Sequence, residues 1–208
     1  MVTDSKYTTT YLNPEVEIGV RKFLRCSHIL SSTLRELLEE RFLRQLGQRP
    51  LTSTQFCCLK LITLNPDLQL GEVARRLNVS PAATSKAADR LVRLGLISRS
   101  ASPEDRRATL LAASARGEAL VRDYERMKAD HVAPVVGDLG AEDLERLCDL
   151  LERVCLGLLA GAPDSTVCCL RCAGYHDADC SIAGGRSECG FRSRERAVPA
   201  PLATEPSS

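Results

Sequence analysis

The sequence predicts a mainly α-helical protein with one β-hairpin set among its helices. Three observations carry this. Apolar residues recur at spacings of three and four along much of the chain up to residue 160. Helix stop and start signals (Asn65-Pro66, Asn78-Val79-Ser80-Pro81, Gly95) punctuate that pattern. Two short β-like runs appear only after Gly95, separated by the turn sequence Ser102-Pro103-Glu104-Asp105.

Residues 14–46 read as one long helix. Ile18, Phe23, Leu30, Leu34, Leu37, Leu38 and Leu46 lie at helical spacing, Pro14 suits a first-turn position, and Gly47 suits a C-cap. At about 1.5 Å per residue such a helix would span roughly 50 Å. A domain of this size cannot wrap it, so its apolar stripe needs a partner. The charged side (Arg35, Glu36, Glu39, Glu40, Arg44) is a solvated face. Thr52 or Ser53 caps a second helix that ends near Leu64. Leu70, Val73, Ala74 and Leu77 share one face of a third. Ser80 caps a fourth, with Pro81 at its first position and Gly95 past its end. Leu96-Ile97-Ser98-Arg99 and Arg107-Ala108-Thr109-Leu110-Leu111 then form a two-stranded hairpin. Helices over residues 114–131 and 141–159 follow, the last with Leu144, Leu147, Leu151, Val154 and Leu158 in one stripe. Helix, tight break, capped helix and hairpin, in that order, make a winged helix-turn-helix with a two-stranded β-hairpin wing.

The organisation is then a flexible N-terminus (1–13), a helical body (14–160), a Cys-rich tail (164–190) and a disordered C-terminus (191–208). Within the body, residues 52–112 form the winged part, and the helices at 14–46 and 114–160 flank it.

Composition narrows the function. With 44% hydrophobic and 26% charged residues over 208 positions, the chain is not wholly disordered. Four Phe, four Tyr and no Trp supply few platforms for stacking single-stranded bases. No apolar stretch approaches the length of a membrane span, and the start Met1-Val2-Thr3-Asp4-Ser5-Lys6 is not a secretory signal. A cytoplasmic protein with reduced thiols is expected. No Ser-His-Asp, paired-carboxylate or phosphate-loop pattern stands out, so an enzyme is not expected.

Charge is informative locally. The whole chain is +1, yet residues 75–107 hold eight basic residues (Arg75, Arg76, Lys86, Arg90, Arg93, Arg99, Arg106, Arg107) against three acidic ones, which makes that segment +5. This is a cationic footprint of the size that binds phosphate. At the start of the fourth helix, Ser80, Thr84, Ser85 and Lys86 can reach base edges and phosphates, while Pro81, Ala82 and Ala83 permit close approach.

The run Leu70-Gly71-Glu72-Val73-Ala74-Arg75-Arg76-Leu77-Asn78-Val79-Ser80-Pro81, continuing to Leu91-Val92-Arg93-Leu94-Gly95-Leu96-Ile97, resembles the DNA-reading core of the MarR family. Ser102-Pro103-Glu104-Asp105-Arg106-Arg107-Ala108 resembles that family's wing, and the likeness covers roughly residues 14–160. The resemblance implies that Arg107 enters the minor groove, oriented by Asp105 with help from Arg99, and reads its potential. Arg90 belongs to the same surface, and Arg106 is assigned to a phosphate. It also implies a homodimer formed by the flanking helices, with recognition helices one DNA turn apart on a pseudo-palindromic operator in double-stranded DNA. A small-molecule effector that releases a repressor is implied too. One departure is Ala112-Ala113-Ser114-Ala115-Arg116-Gly117, where the family pattern is Leu-Thr-x-x-Gly; Ser114 can still cap a helix.

The cysteines divide into two groups. Cys57, Cys58, Cys148 and Cys155 read as small buried hydrophobes on apolar helix faces. Cys26 lies near the position of the reactive thiol in peroxide-sensing members of the family, but Leu30 and Glu40 stand where those members supply tyrosines. Five of the ten cysteines fall within residues 168–189. Cys169, Cys172, Cys180 and Cys189 have spacings that suit a tetrahedral zinc site or an iron–sulfur cluster. The other reading is a metal-free tail, disordered or thiol-redox. The expected function is a sequence-specific double-stranded DNA-binding transcriptional regulator, a dimeric repressor released by a small-molecule, metal or redox signal. The alternative is a winged-helix protein-interaction module with a metal-stapled docking tail.

Overall fold

The computed structural model describes residues 13–46, 49–102 and 108–160. The chain divides into two units, Met1–Phe42 and Leu43–Ser208.

In the first unit, helix α1 spans Pro14–Thr33. Asn13 caps it by accepting from the Glu15 N–H at 3.1 Å, and Pro14 takes the first position, where no N–H is needed. The sequence predicts one uninterrupted α-helix to residue 46. The structure instead places a π-helical segment at Leu34–Glu40, followed by the short helix α2 at Arg41–Gln45. The backbone stays helical through both junctions, but π turns bond five residues back, so the faces on either side are re-phased. Ile18, Phe23, Leu30, Leu34 and Leu37 all lie exposed on this single chain.

The second unit is built on α3, Ser53–Leu64. Thr52 and Gln55 form a reciprocal capping box, each side chain accepting from the other's backbone N–H at 3.2 and 3.1 Å. Phe56, Cys58, Leu59, Leu61 and Ile62 on this helix are buried, and with Val73, Leu91, Leu111 and Tyr124 they make the core. After Asn65-Pro66, Asp67 takes a left-handed backbone (φ +62°) and turns the chain into strand β1, Leu68–Gln69. Helix α4 (Leu70–Arg76) and helix α5 (Pro81–Arg93) follow. Gly95, at φ +68°, closes α5 in the conformation a Cβ disfavours.

Strands β2 (Ile97–Ala101) and β3 (Thr109–Ala113) pair antiparallel, Ile97 opposite Ala113 and Arg99 opposite Leu111. The expected two-stranded hairpin is one strand short of the observed sheet. β1 adds to the outer side of β3, Leu68 opposite Leu111, which gives the order β1-β3-β2. Two residues are too few to show a strand's alternation in sequence.

Helix α6 spans Ala115–Gly137 and α7 spans Ala141–Ala160. Ser114 caps α6 by accepting from the Gly117 N–H at 3.1 Å, and its hydroxyl donates to the Gly95 carbonyl at 2.7 Å. The cap therefore also ties the start of α6 to the end of α5. The helix runs six residues beyond the predicted end at 131 and passes Pro134. Only its last turn depends on the backbone bond that Pro134 cannot donate.

The contact between α3 and α6 carries buried charge. Lys60 and Lys128, 4% and 5% exposed, share the Glu125 carboxylate. Lys60 Nζ lies 2.5 Å from Oε1. Lys128 Nζ lies 3.0 Å from Oε2, at ion-pair distance although not aligned as a hydrogen bond. Lys128 also sits 4.6 Å from the centroid of the Tyr124 ring, which packs on Phe56 at 4.1 Å. No helix among the described residues is long and apolar enough to cross a membrane.

Candidate nucleic-acid interface

The turn between α4 and α5 is set by Asn78, whose left-handed backbone (φ +48°) suits Asn better than most side chains. The Asn78 N–H donates to the Arg75 carbonyl at 3.2 Å, and the Val79 N–H donates to the Ala74 carbonyl at 3.1 Å, which closes the turn. Ser80 then caps α5, accepting from the Ala83 N–H at 3.2 Å, with Pro81 at the first position.

This start fixes which side chains face outward. Thr84, Ala87, Ala88 and Leu91 are buried and hold the helix on the core. Pro81, Ala82, Ala83 and Lys86 are exposed, and Ser85 and Arg90 are half-buried. The outward N-terminal surface is thus three small side chains beside one ammonium. Such a surface lets a backbone approach a groove closely while a cation meets phosphate.

Two expectations are corrected. Thr84 is 1% exposed, and its hydroxyl donates to the Ser80 carbonyl at 3.2 Å. It faces the core and cannot reach a base edge from there, because positions 84, 87, 88 and 91 lie together on the buried side. Arg76, counted in the cationic footprint, is turned inward with its side chain 13% exposed. It pairs with Glu72 at 2.5 Å and reaches Asn65 Oδ1 at 3.5 Å, so it braces α4 against the end of α3. Arg75 remains outward, its side chain 73% exposed.

Arg99 is held on α5. Its Nη1 lies 2.8 Å from Asp89 Oδ1, and its Nη2 donates to the Ser85 carbonyl at 3.4 Å. The sequence does not mark Asp89 as a site residue. Its partner is ten positions away on another element, and no local spacing reveals that. Asp105, Arg106 and Arg107 lie outside the described residues, as do Cys169, Cys172, Cys180 and Cys189.

Among the described cysteines, Cys58 is buried as expected and Cys57 is half-buried. Desolvation pushes the Cys58 thiol up to about 12, with Cys57 adding to the rise and Arg99 opposing it, so it stays protonated and unreactive. Cys148 and Cys155 are exposed on this single chain, against the expectation of burial, because the apolar face of α7 that carries them is uncovered. Cys26 is exposed on α1.

A compact helix-turn-helix backed by a small antiparallel sheet and a hairpin defines a winged-helix protein. Residues 51–109 match the MarR family. The HTH-type transcriptional repressor Rv2887 of Mycobacterium tuberculosis is 30% identical over 104 residues, which is 50% of this chain and 75% of that protein. The structure of FabT from Streptococcus pneumoniae in complex with DNA superposes with a TM-score of 0.57 at 22% identity, covering 65% of this chain and 96% of that one. A mutant MarR from E. coli complexed with operator DNA superposes with a TM-score of 0.50 at 25% identity, covering 65% and 95%. The chain belongs to the MarR family.

Proposed function

We propose that this protein is a sequence-specific double-stranded DNA-binding transcriptional regulator that acts in the cytoplasm as a homodimeric repressor. The observation that carries the reading is the N-terminal surface of α5. Its cap, its small outward residues Pro81, Ala82 and Ala83, and exposed Lys86 are of the kinds that a major-groove helix presents to DNA, which supports the reading. The family membership and the operator complex of the E. coli relative support it. Dimerisation is supported by apolar stripes left uncovered on one chain. Ile18 on α1 is 69% exposed, and Leu158 on α7 is 71% exposed.

The test is binding of the full-length protein to a duplex that it selects from a random pool. Affinity for that duplex should fall steeply as salt rises, because each cation on a phosphate releases counterions. Arg107→Ala should weaken binding to the selected duplex at least about tenfold, the scale of a lost groove contact, without lowering the unfolding midpoint. Unchanged affinity would remove the wing from the interface. Sedimentation should give twice the mass of one chain.

The release signal is the second part of the proposal: a small molecule, a metal or a redox change. For the metal, Cys169, Cys172, Cys180 and Cys189 would hold zinc or an iron–sulfur cluster through four thiolates. Elemental analysis of anaerobically purified protein checks this. One zinc per chain, or several irons with matching sulfide, supports the site, and no stoichiometric metal discards it.

A further inference from the structure

The hairpin and the reading helix are joined by a side-chain brace. Arg99 occupies the third position of β2, the strand that leads into the hairpin turn, opposite Leu111. Its guanidinium reaches α5 at two points one turn apart: the Asp89 carboxylate at 2.8 Å and the Ser85 carbonyl at 3.4 Å. A planar fork bonded at two points along one helix fixes tilt as well as distance, whereas a point charge fixes distance alone. The helix cannot drift to follow the strand, because Ala87, Ala88 and Leu91 beside the brace are buried. The pair is also well placed to serve geometry more than stability. The Asp89 and Arg99 side chains are 44% and 31% exposed, and ion pairs so exposed add little to folding.

We propose that Asp89 is a positioning residue for DNA recognition. By holding Arg99 on α5 it sets the angle between the reading helix and the wing, and so the spacing at which the two enter their grooves. This rests on the DNA-binding reading above. The sign of its effect is distinctive. Asp89 is an acidic group on a DNA-facing helix, so deleting its charge strengthens attraction to any phosphate backbone. Loss of positioning weakens binding only where helix and wing must engage together.

The experiment uses the full-length protein and a duplex that the wild type has selected from a random pool, with a scrambled duplex of equal length as control. Asp89→Asn and Arg99→Lys are measured on both across a salt series. Each variant should lose about tenfold on the selected duplex, the scale of one groove contact. On the scrambled duplex Asp89→Asn should bind as well as wild type or better, and Arg99→Lys should match it. Arg99→Lys conserves charge, so its loss cannot be electrostatic, and it decides the matter if Asp89→Asn fails to fold. Wild-type affinity of the variants for the selected duplex overturns the proposal, as do parallel losses on both duplexes. If the wild type selects no duplex at all, the DNA-binding reading fails and the inference falls with it. If it selects one that the variants bind equally well, only the inference fails.

Discussion

Gly117→Ala should lower the thermal unfolding midpoint by roughly 6–12 °C, which corresponds to about 3 kcal/mol at this chain length. A Cβ at position 117 would meet the Leu96 carbonyl oxygen well inside van der Waals contact, and Leu59 Cδ1 at 3.1 Å. The first obstacle is backbone. It cannot rotate away as a side chain would, and it is already engaged by the Ser114 N–H at 3.0 Å. Relief requires α6 to lift from the end of α5, which would strain the Ser114 cap that ties them. A scanning-calorimetry midpoint within about 2 °C of wild type, less than 1 kcal/mol at this chain length, would show that α6 is not seated this closely.

The second large effect is expected at Glu125. Glu125→Leu removes the carboxylate shared by two nearly buried ammoniums, Lys60 and Lys128. Breaking a buried pair by deleting one partner costs about 3–5 kcal/mol. The lower end is expected here, because the Glu125 side chain is 24% exposed and solvent offsets part of the loss. Removing the Lys60 charge as well should be milder, so Lys60→Met combined with Glu125→Leu should recover part of the stability lost by Glu125→Leu alone, the buried Lys128 ammonium still lacking this carboxylate. Denaturant titrations of the four combinations measure this coupling, and simple additivity would show that the two residues do not depend on each other.

Most of the fold is legible in the sequence because its signals are local. Thr52 with Gln55, Ser80 before Pro81, Gly95 and Ser114 mark helix ends by chemistry that acts within four residues, and the structure places helix boundaries at each. What escapes is longer in range or too short to have a period. β1 is two residues long and exists only because Leu68 and Gln69 meet β3 some forty positions later. The π segment at Leu34–Glu40 keeps the apolar composition of the helix around it, so nothing in the spacing announces it. In the candidate site, the N-terminal surface of α5 is legible from residue type. Its rotation about the helix axis is not, and that is why Thr84 reads in the sequence as able to reach a base edge yet lies on the core. Arg76 and Arg99 show the same limit for charge. A count of arginines finds the footprint, but which of them are committed to Glu72 or Asp89 depends on tertiary neighbours.

The sheet order described above bears on how copies of this chain can meet. A sheet recruits further strands through unpaired edges, and long flat edges invite aggregation. Here the inner strand is β3, and the edge formed by β1 is only two residues long, too short to template another chain. The other edge, β2, is five residues long and carries exposed polar Ser98 and Ser100 beside Arg99, whose guanidinium is committed to α5, so it offers no large apolar side chain for a second strand to cover. Among the described elements, edge-to-edge growth is discouraged on both sides of the sheet, which leaves self-association to the apolar stripes of the helices, whose exposure ends when they are covered.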